Sequence, residues 1–167
     1  HTVLMVNGKS GGNSAKKLLD LQLEQYRISD AHYVWIFDML DSGSREAGFG
    51  KLKELVDDPR ASPVVLACGG DGTVKWVISE LLSHKCDDVP VGVIPFGTGN
   101  DFSRVCNWGG STPKPLIGKH MRSLNTRLEY VNESERVLLD VWKIEIILKN
   151  GGEVSIIKKD FSYAANE

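Results

Sequence analysis

Twice in this chain of 167 residues a short apolar run breaks into a glycine-rich loop that opens a helical pattern. The run at 64–68 (Val64, Val65, Leu66, Ala67, Cys68) leads into Gly69, Gly70, Asp71, Gly72 and Thr73. The run at 91–94 leads into Pro95, Phe96, Gly97, Thr98, Gly99, Asn100 and Asp101. A continuous apolar run suits a strand covered on both faces, which is how strands of a parallel sheet sit between helices. Strand, loop and helix in that order, twice, predict β-α-β units.

The rest of the first two thirds fits the same frame. Residues 2–6 read as a first strand and 7–12 as a turn-rich loop. Ser14 then reads as the N-cap of a helix buried through Leu18, Leu19, Leu21, Leu23 and Tyr26. Residues 33–37 read as a strand, 41–48 as a polar loop, and about 47–56 as an amphipathic helix stopped by Asp57, Asp58 and Pro59. Val74, Val77, Ile78, Leu81 and Leu82 recur at helical spacing, and Asn100 to Cys106 reads as a short helix. Residues 116–124 are expected to be helical. From 125 onward the pattern changes: 126–131 and 136–148 read as extended, Asn150-Gly151 is a hairpin signal, and 153–158 supplies the returning strand. The expected architecture is an α/β domain over 1–124, an open and mostly parallel sheet with flanking helices. An antiparallel hairpin over 125–167 is expected to begin a β-rich second domain that the chain does not complete. Its apolar face, Trp142, Ile144, Ile146 and Leu148, is expected to be covered by a further sheet or to drive self-association.

Composition narrows the chemistry. The 20 basic and 22 acidic residues nearly cancel, which argues against a nucleic-acid binder built on a broad basic face. No apolar run is long enough to span a membrane. Cys68, Cys86 and Cys106 form no CxxC pair, so neither a disulfide framework nor a structural zinc site is expected, and a reducing, cytosolic setting fits best. The histidines at 1, 32, 84 and 120 are scattered and read as surface residues. Trp35, Trp76 and Trp142 read as core, while Trp108, in a Gly-rich loop, is a candidate for lipid contact.

In an open parallel sheet both glycine loops lie at the carboxyl edge, where ligands bind. Glycines allow close approach of the backbone to an anion, and the N–H groups and dipole of the following helix favour negative charge. Two such loops could grip a polyphosphate from two sides. Asp71, beside a phosphate-ready helix start, implies either Mg²⁺ or a proton to be accepted. Asn7, Gly8, Lys9, Ser10, Gly11 and Gly12 form a third loop of this kind, and its spacing is not that of a Walker A loop.

The residues 64–78, with GGDGT at 69–73, followed by Val93 to Arg104 with PFGTGND at 95–101, resemble the catalytic domain of eukaryotic diacylglycerol kinases. The similarity extends to Asn7 with Ser10-Gly11-Gly12, to Trp108-Gly109-Gly110, and to Leu139-Asp140 with Trp142-Lys143-Ile144. The resemblance implies ATP-dependent phosphorylation of the free hydroxyl of diacylglycerol to phosphatidate, at a membrane surface reached from the cytoplasm. It implies nucleotide contacts at Asn7, Ser10, Gly11, Gly69, Gly70, Gly72, Thr73, Gly97, Thr98, Gly99, Asn100 and Asp101. It also implies a catalytic or Mg²⁺-binding role for Asp71. A C-terminal β-rich domain would close the cleft. Gly8, Leu40 and Val141 depart from the family pattern without touching the two strongest motifs. A sphingosine or ceramide kinase and a non-catalytic lipid-sensing module of the same fold are the rival readings.

Overall fold

The computed structural model describes residues 1–112, 115–117, 121–147 and 153–165, with side chains described through Trp142. In chain order the elements are β1 (Thr2–Val6), α1 (Ser10–Asn13), α2 (Lys16–Leu19), β2 (Gln25–Ser29), β3 (His32–Asp38), α3 (Ser42–Asp57), β4 (Val64–Gly69), α4 (Asp71–Ser83), β5 (Val91–Pro95), α5 (Asp101–Val105), α6 (Arg122–Glu133), β6 (Glu135–Ile147) and β7 (Glu153–Ala165). The strands form one sheet in the order β2-β3-β1-β4-β5-β7-β6. β3, β1, β4 and β5 run parallel to one another. β2 lies antiparallel on β3, β7 meets β5 in parallel at Val91 and Tyr163, and β6 is antiparallel to β7. The expected open, mostly parallel sheet and the C-terminal antiparallel pair are both present.

The three most apolar strands take the middle because only there are both faces covered. β1, β4 and β5 are buried at every position. Leu4, Met5, Leu66 and Ile94 pack with Phe49 and Leu52 of α3 and with Val77 and Leu81 of α4 in one core. Each such side chain contributes roughly 1.5–3 kcal/mol on burial. Cys68 and Cys106 are buried among them, and burial pushes both thiols up, Cys106 to about 11. They therefore act as small core residues and not as nucleophiles.

Several expectations are corrected. The helix expected from Ser14 to Tyr26 ends at Leu19, and the chain passes Gln22 at a φ of 52° before forming β2. There Tyr26 and Ile28 alternate with exposed neighbours, a two-residue period that the preceding leucines obscure. α3 starts at Ser42, inside the expected polar loop, because the Asp41 carboxylate accepts the Ser44 amide at 2.7 Å as an N-cap. Residues 116 and 117 are not helical, and the stretch 126–131, expected as strand, lies within α6. Leu124 and Leu128 are buried four residues apart and Val131 packs one turn further, which is helical spacing. Trp108 is fully buried, against the Gly92 backbone, so it is a core residue and no lipid contact. His32 is also buried, whereas Trp142, expected in the core, is 56% exposed. The hairpin turn expected at Asn150-Gly151, His120, Leu148, and the side chains of Ile144 and Ile146 lie outside the described residues.

Candidate active site

Because β1, β4 and β5 are adjacent and parallel, their carboxyl ends bring the three glycine loops side by side. Backbone hydrogen bonds lock them in place: Asn7 N donates to Cys68 O at 3.1 Å and Phe96 N to Gly69 O at 2.9 Å. The Asn7 side-chain amide also donates to Thr73 Oγ1 at 3.1 Å, tying the first loop to the second. Asn7 Oδ1 accepts Lys9 N at 3.2 Å, which shapes the turn that leads to Ser10. Gly11 and Gly12 follow in the left-handed region, at φ of 60° and 61°. A side chain on Gly11 would also press on the Phe96 carbonyl.

The second and third loops touch through glycine. A Cβ on Gly97 would stand 2.6 Å from Gly70 Cα and 2.7 Å from Asn100 Oδ1. Gly69 is needed for another reason, since a Cβ there would collide with the Thr73 side chain. Gly70 is the N-cap of α4, and its carbonyl accepts the Thr73 and Val74 amides at 2.9 and 3.1 Å. Asn100 is 1% exposed, takes a left-handed φ of 53°, and donates from Nδ2 to the carbonyls of Gly97 at 2.7 Å and Gly110 at 2.9 Å. It is the latch of the third loop. Thr98 and Gly99 lie exposed at its tip.

Gly72 and Gly99 differ from these. Neither has a positive φ, and a Cβ on Gly72 would meet nothing within 4 Å, while one on Gly99 would make only ordinary contact with Asp71 Oδ2 at 3.5 Å. The fold does not demand glycine at either position. Open backbone at the start of a helix of 13 residues and beside it on the facing loop is the cradle that a phosphate group fits.

Asp71 lies exposed in the first turn of α4, facing α5. Its Oδ2 accepts Asp101 N at 3.2 Å and its Oδ1 accepts Phe102 N at 3.0 Å. The carboxylate thus caps the start of α5 from another element. Each oxygen retains lone-pair capacity for a cation or a hydroxyl proton. Asp101 lies beside it, and both flank Gly99. Two carboxylates next to a phosphate cradle match the donor set of Mg²⁺, which takes one or two carboxylates and completes its shell with phosphate oxygens and water.

Two depressions open at this edge. One, of about 460 Å³, is lined by Gly11, Ser14, Lys17, Phe96, Gly97 and Thr112 among others. The other, of about 1100 Å³, begins at Asp71 and Asp101 and runs between α4, α5 and β6. Ser14, Lys17 and Thr112 were not anticipated as site residues. Lys17 stands one turn past the paired glycines of the first loop, a placement that could have marked it. Thr112, whose hydroxyl donates to the Pro95 carbonyl, carried no sequence signal.

The family model described as the diacylglycerol kinase catalytic domain matches residues 1–132. An eye-specific diacylglycerol kinase of Drosophila melanogaster is 36% identical over 149 residues, which is 86% of this chain and 9% of that protein. Diacylglycerol kinase zeta of Rattus norvegicus is 35% identical over 85% of this chain and 14% of its own length. Diacylglycerol kinase iota of Homo sapiens is 34% identical over 86% and 12%. The chain therefore spans a small part of these relatives, the part that contains all three glycine loops. On its sequence and its site, the chain belongs to the diacylglycerol kinase catalytic domain family.

Proposed function

We propose that this chain carries the nucleotide site of an ATP-dependent lipid kinase that phosphorylates the free hydroxyl of diacylglycerol, giving phosphatidate and ADP in lipid signalling. The observation that carries the reading is the meeting of the glycine loops around an exposed carboxylate: Gly72 and Gly99 leave backbone open where the fold needs no glycine, and Asp71 lies between them. The names of the relatives supply the substrate class.

Phosphoryl transfer needs positioning and charge neutralisation more than covalent chemistry. The Gly72 and Gly99 backbone and the α4 N-terminus hold phosphate oxygens, Lys17 adds positive charge, and Asn7, Thr73 and Asn100 keep the loops rigid. Asp71 accepts the proton of the attacking hydroxyl, shares the cation with Asp101, or does both. Asp71 and Asp101 would hold Mg²⁺, which would supply the charge neutralisation that the polyphosphate and the leaving ADP need. The acceptor oxygen bonds to the γ-phosphorus as the bond to the β-phosphate oxygen breaks.

Among the described residues no helix is long and apolar enough to cross a membrane. A peripheral enzyme that works from the cytoplasmic side on membrane diacylglycerol fits that observation. A β-rich domain C-terminal to α6 completes the cleft in this reading, and the 74% exposed Leu138 and the exposed Trp142 suit such a neighbour. A non-catalytic module of the same fold is favoured by one observation, the capping of α5 by both Asp71 oxygens.

The test is radiolabelled ATP and Mg²⁺ with mixed micelles of diacylglycerol, sphingosine or ceramide and the full-length protein. Labelled phosphatidate alone is expected. A labelled sphingoid product would move the enzyme to the rival kinase class, and no labelled lipid at all would leave the module.

A further inference from the structure

Arg104, the fourth residue of α5, folds back over the third glycine loop. Its Nε donates to the Gly99 carbonyl at 3.1 Å, while its backbone N donates to Asn100 O at 3.0 Å. The guanidinium lies against Gly110. A Cβ there would stand 2.4 Å from Cζ, 2.4 Å from Nη2 and 2.6 Å from Nη1, and near-equal distances to all three atoms put Gly110 over the flat face of the group and not at its edge. Gly110 has no positive φ, so its backbone does not call for glycine, and what the missing side chain provides is room for this face. The backbone at 109 and 110 is fastened to the same region, since Gly110 O accepts Asn100 Nδ2 at 2.9 Å and Gly109 O accepts Ser103 Oγ at 2.6 Å. Arg104 is exposed and enters no ion pair among the described residues, so neither core packing nor a charge partner accounts for its placement.

The bond matters for what it does to the loop. Its two ends are held from different side chains, Gly97 O by Asn100 Nδ2 and Gly99 O by Arg104 Nε. Glycine turns freely, so an unheld Gly99–Asn100 peptide can rotate and present its carbonyl to the place where phosphate oxygens bind. The peptide is planar, and fixing the carbonyl therefore also fixes the Asn100 N–H on the opposite side. We infer that Arg104 is a positioning residue for the nucleotide: wedged between Gly99 O and the bare face of Gly110, it holds the Gly99–Asn100 peptide with its carbonyl turned away from the phosphates. This rests on the lipid-kinase reading for the nucleotide, and it adds the side chain that keeps the third loop in its binding form.

The experiment titrates a non-hydrolysable ATP analogue with Mg²⁺ calorimetrically into the full-length protein, as wild type, Arg104→Gln, Arg104→Lys, Gly110→Ala, and the double variant that combines Arg104→Gln with Gly110→Ala. The three atoms nearest a methyl group at 110 all belong to the movable end of Arg104, so Gly110→Ala displaces the guanidinium and keeps the arginine charge. Arg104→Gln and Gly110→Ala should each weaken the analogue on the order of tenfold, the scale of a lost hydrogen bond to a charged group, with melting temperatures near wild type. The double variant should bind no more weakly than either single one, since both remove the same contact. Arg104→Lys keeps the charge but lacks the flat face and the Nε donor, and should be as weak as Arg104→Gln. In kinase assays the KM for ATP should rise and the KM for diacylglycerol should not. If Arg104→Gln does not fold, Gly110→Ala and Arg104→Lys decide. Wild-type affinity in Gly110→Ala or additive losses in the double variant overturns the positioning role, and so does wild-type affinity in Arg104→Lys, which would show that a point charge is enough. An analogue that does not bind wild type at all overturns the nucleotide reading and this inference with it.

Discussion

The two depressions at the carboxyl edge differ in the charge that lines them. Among the described residues the smaller is lined by Lys17 and glycine backbone, whereas the larger is lined by Asp71, Asp101 and Asp140 together with Lys75 and hydrocarbon. The difference gives the two depressions distinct preferences for a charged ligand.

The sharpest way to break this comparison is at Asp71, which lines the larger depression only. Asp71→Asn keeps the shape and one acceptor for the α5 amides but loses the charge. Kinase activity of the full-length enzyme should fall on the order of a hundredfold or more, the scale of a lost transition-state contact. Stability should drop only about 1 kcal/mol, the scale of a weakened cap. Retention of more than a tenth of the activity would falsify the catalytic role and leave capping as its whole function.

The glycines sharpen it next. Gly97→Ala drives a methyl group into the Gly70 backbone and the latched Asn100, so its main effect should be a lower melting temperature. Gly72→Ala should do the reverse. Position 72 is helical and open, and alanine there should raise stability by about 0.5 kcal/mol while weakening an ATP analogue several-fold, because the methyl occupies ligand space. Calorimetric melting and titration with the analogue, run on both variants, separate the two roles. Unchanged nucleotide affinity in Gly72→Ala would mean that the open backbone is only a turn.

How much of this was legible in the sequence depends on how local the cause is. The centre of the sheet was legible because strands buried on both faces show as unbroken apolar runs, and the glycine loops were legible because they end those runs. The reason for each glycine was not. Gly97 and Gly72 look alike in the chain, and only their neighbours, the Gly70 backbone in one case and empty space in the other, tell packing from ligand approach. The edges were least legible. β2 pairs with β3 across a tight turn at Asp30 and Ala31, with no glycine to announce it, and α6 read as extended because its polar positions hide the four-residue spacing of Leu124 and Leu128. Lys17 and the larger depression were missed because a cleft exists only between elements.

The smallest effect lies on the far end of the sheet, away from both depressions, and it measures the scaffold alone. His32 at the start of β3 was expected on the surface but is 5% exposed. Its Nε2 lies 2.8 Å from Thr2 Oγ1, and its Nδ1 lies 3.4 Å from the Asn132 amide nitrogen of α6. An amide NH₂ can only donate, so Nδ1 serves as acceptor and the neutral ring, with its proton on Nε2, satisfies both partners. Burial holds the folded-state pKa below the ordinary value of about 6.5. With the folded value depressed, the contribution to stability is complete above the unfolded pKa. It is lost as the pH falls through the interval down to the folded value, because the unfolded chain takes up the proton first. Thermal melts from pH 8 to pH 5 should therefore show wild type losing more stability below about pH 6.5 than His32→Gln, which cannot titrate. Kinase activity corrected for the folded fraction should show no matching difference, since His32 touches neither depression. Parallel melting curves for the two proteins across that range would mean that the imidazole is charged, or equally solvated, in both states, and that the Thr2–His32–Asn132 bridge does not hold α6 to the sheet.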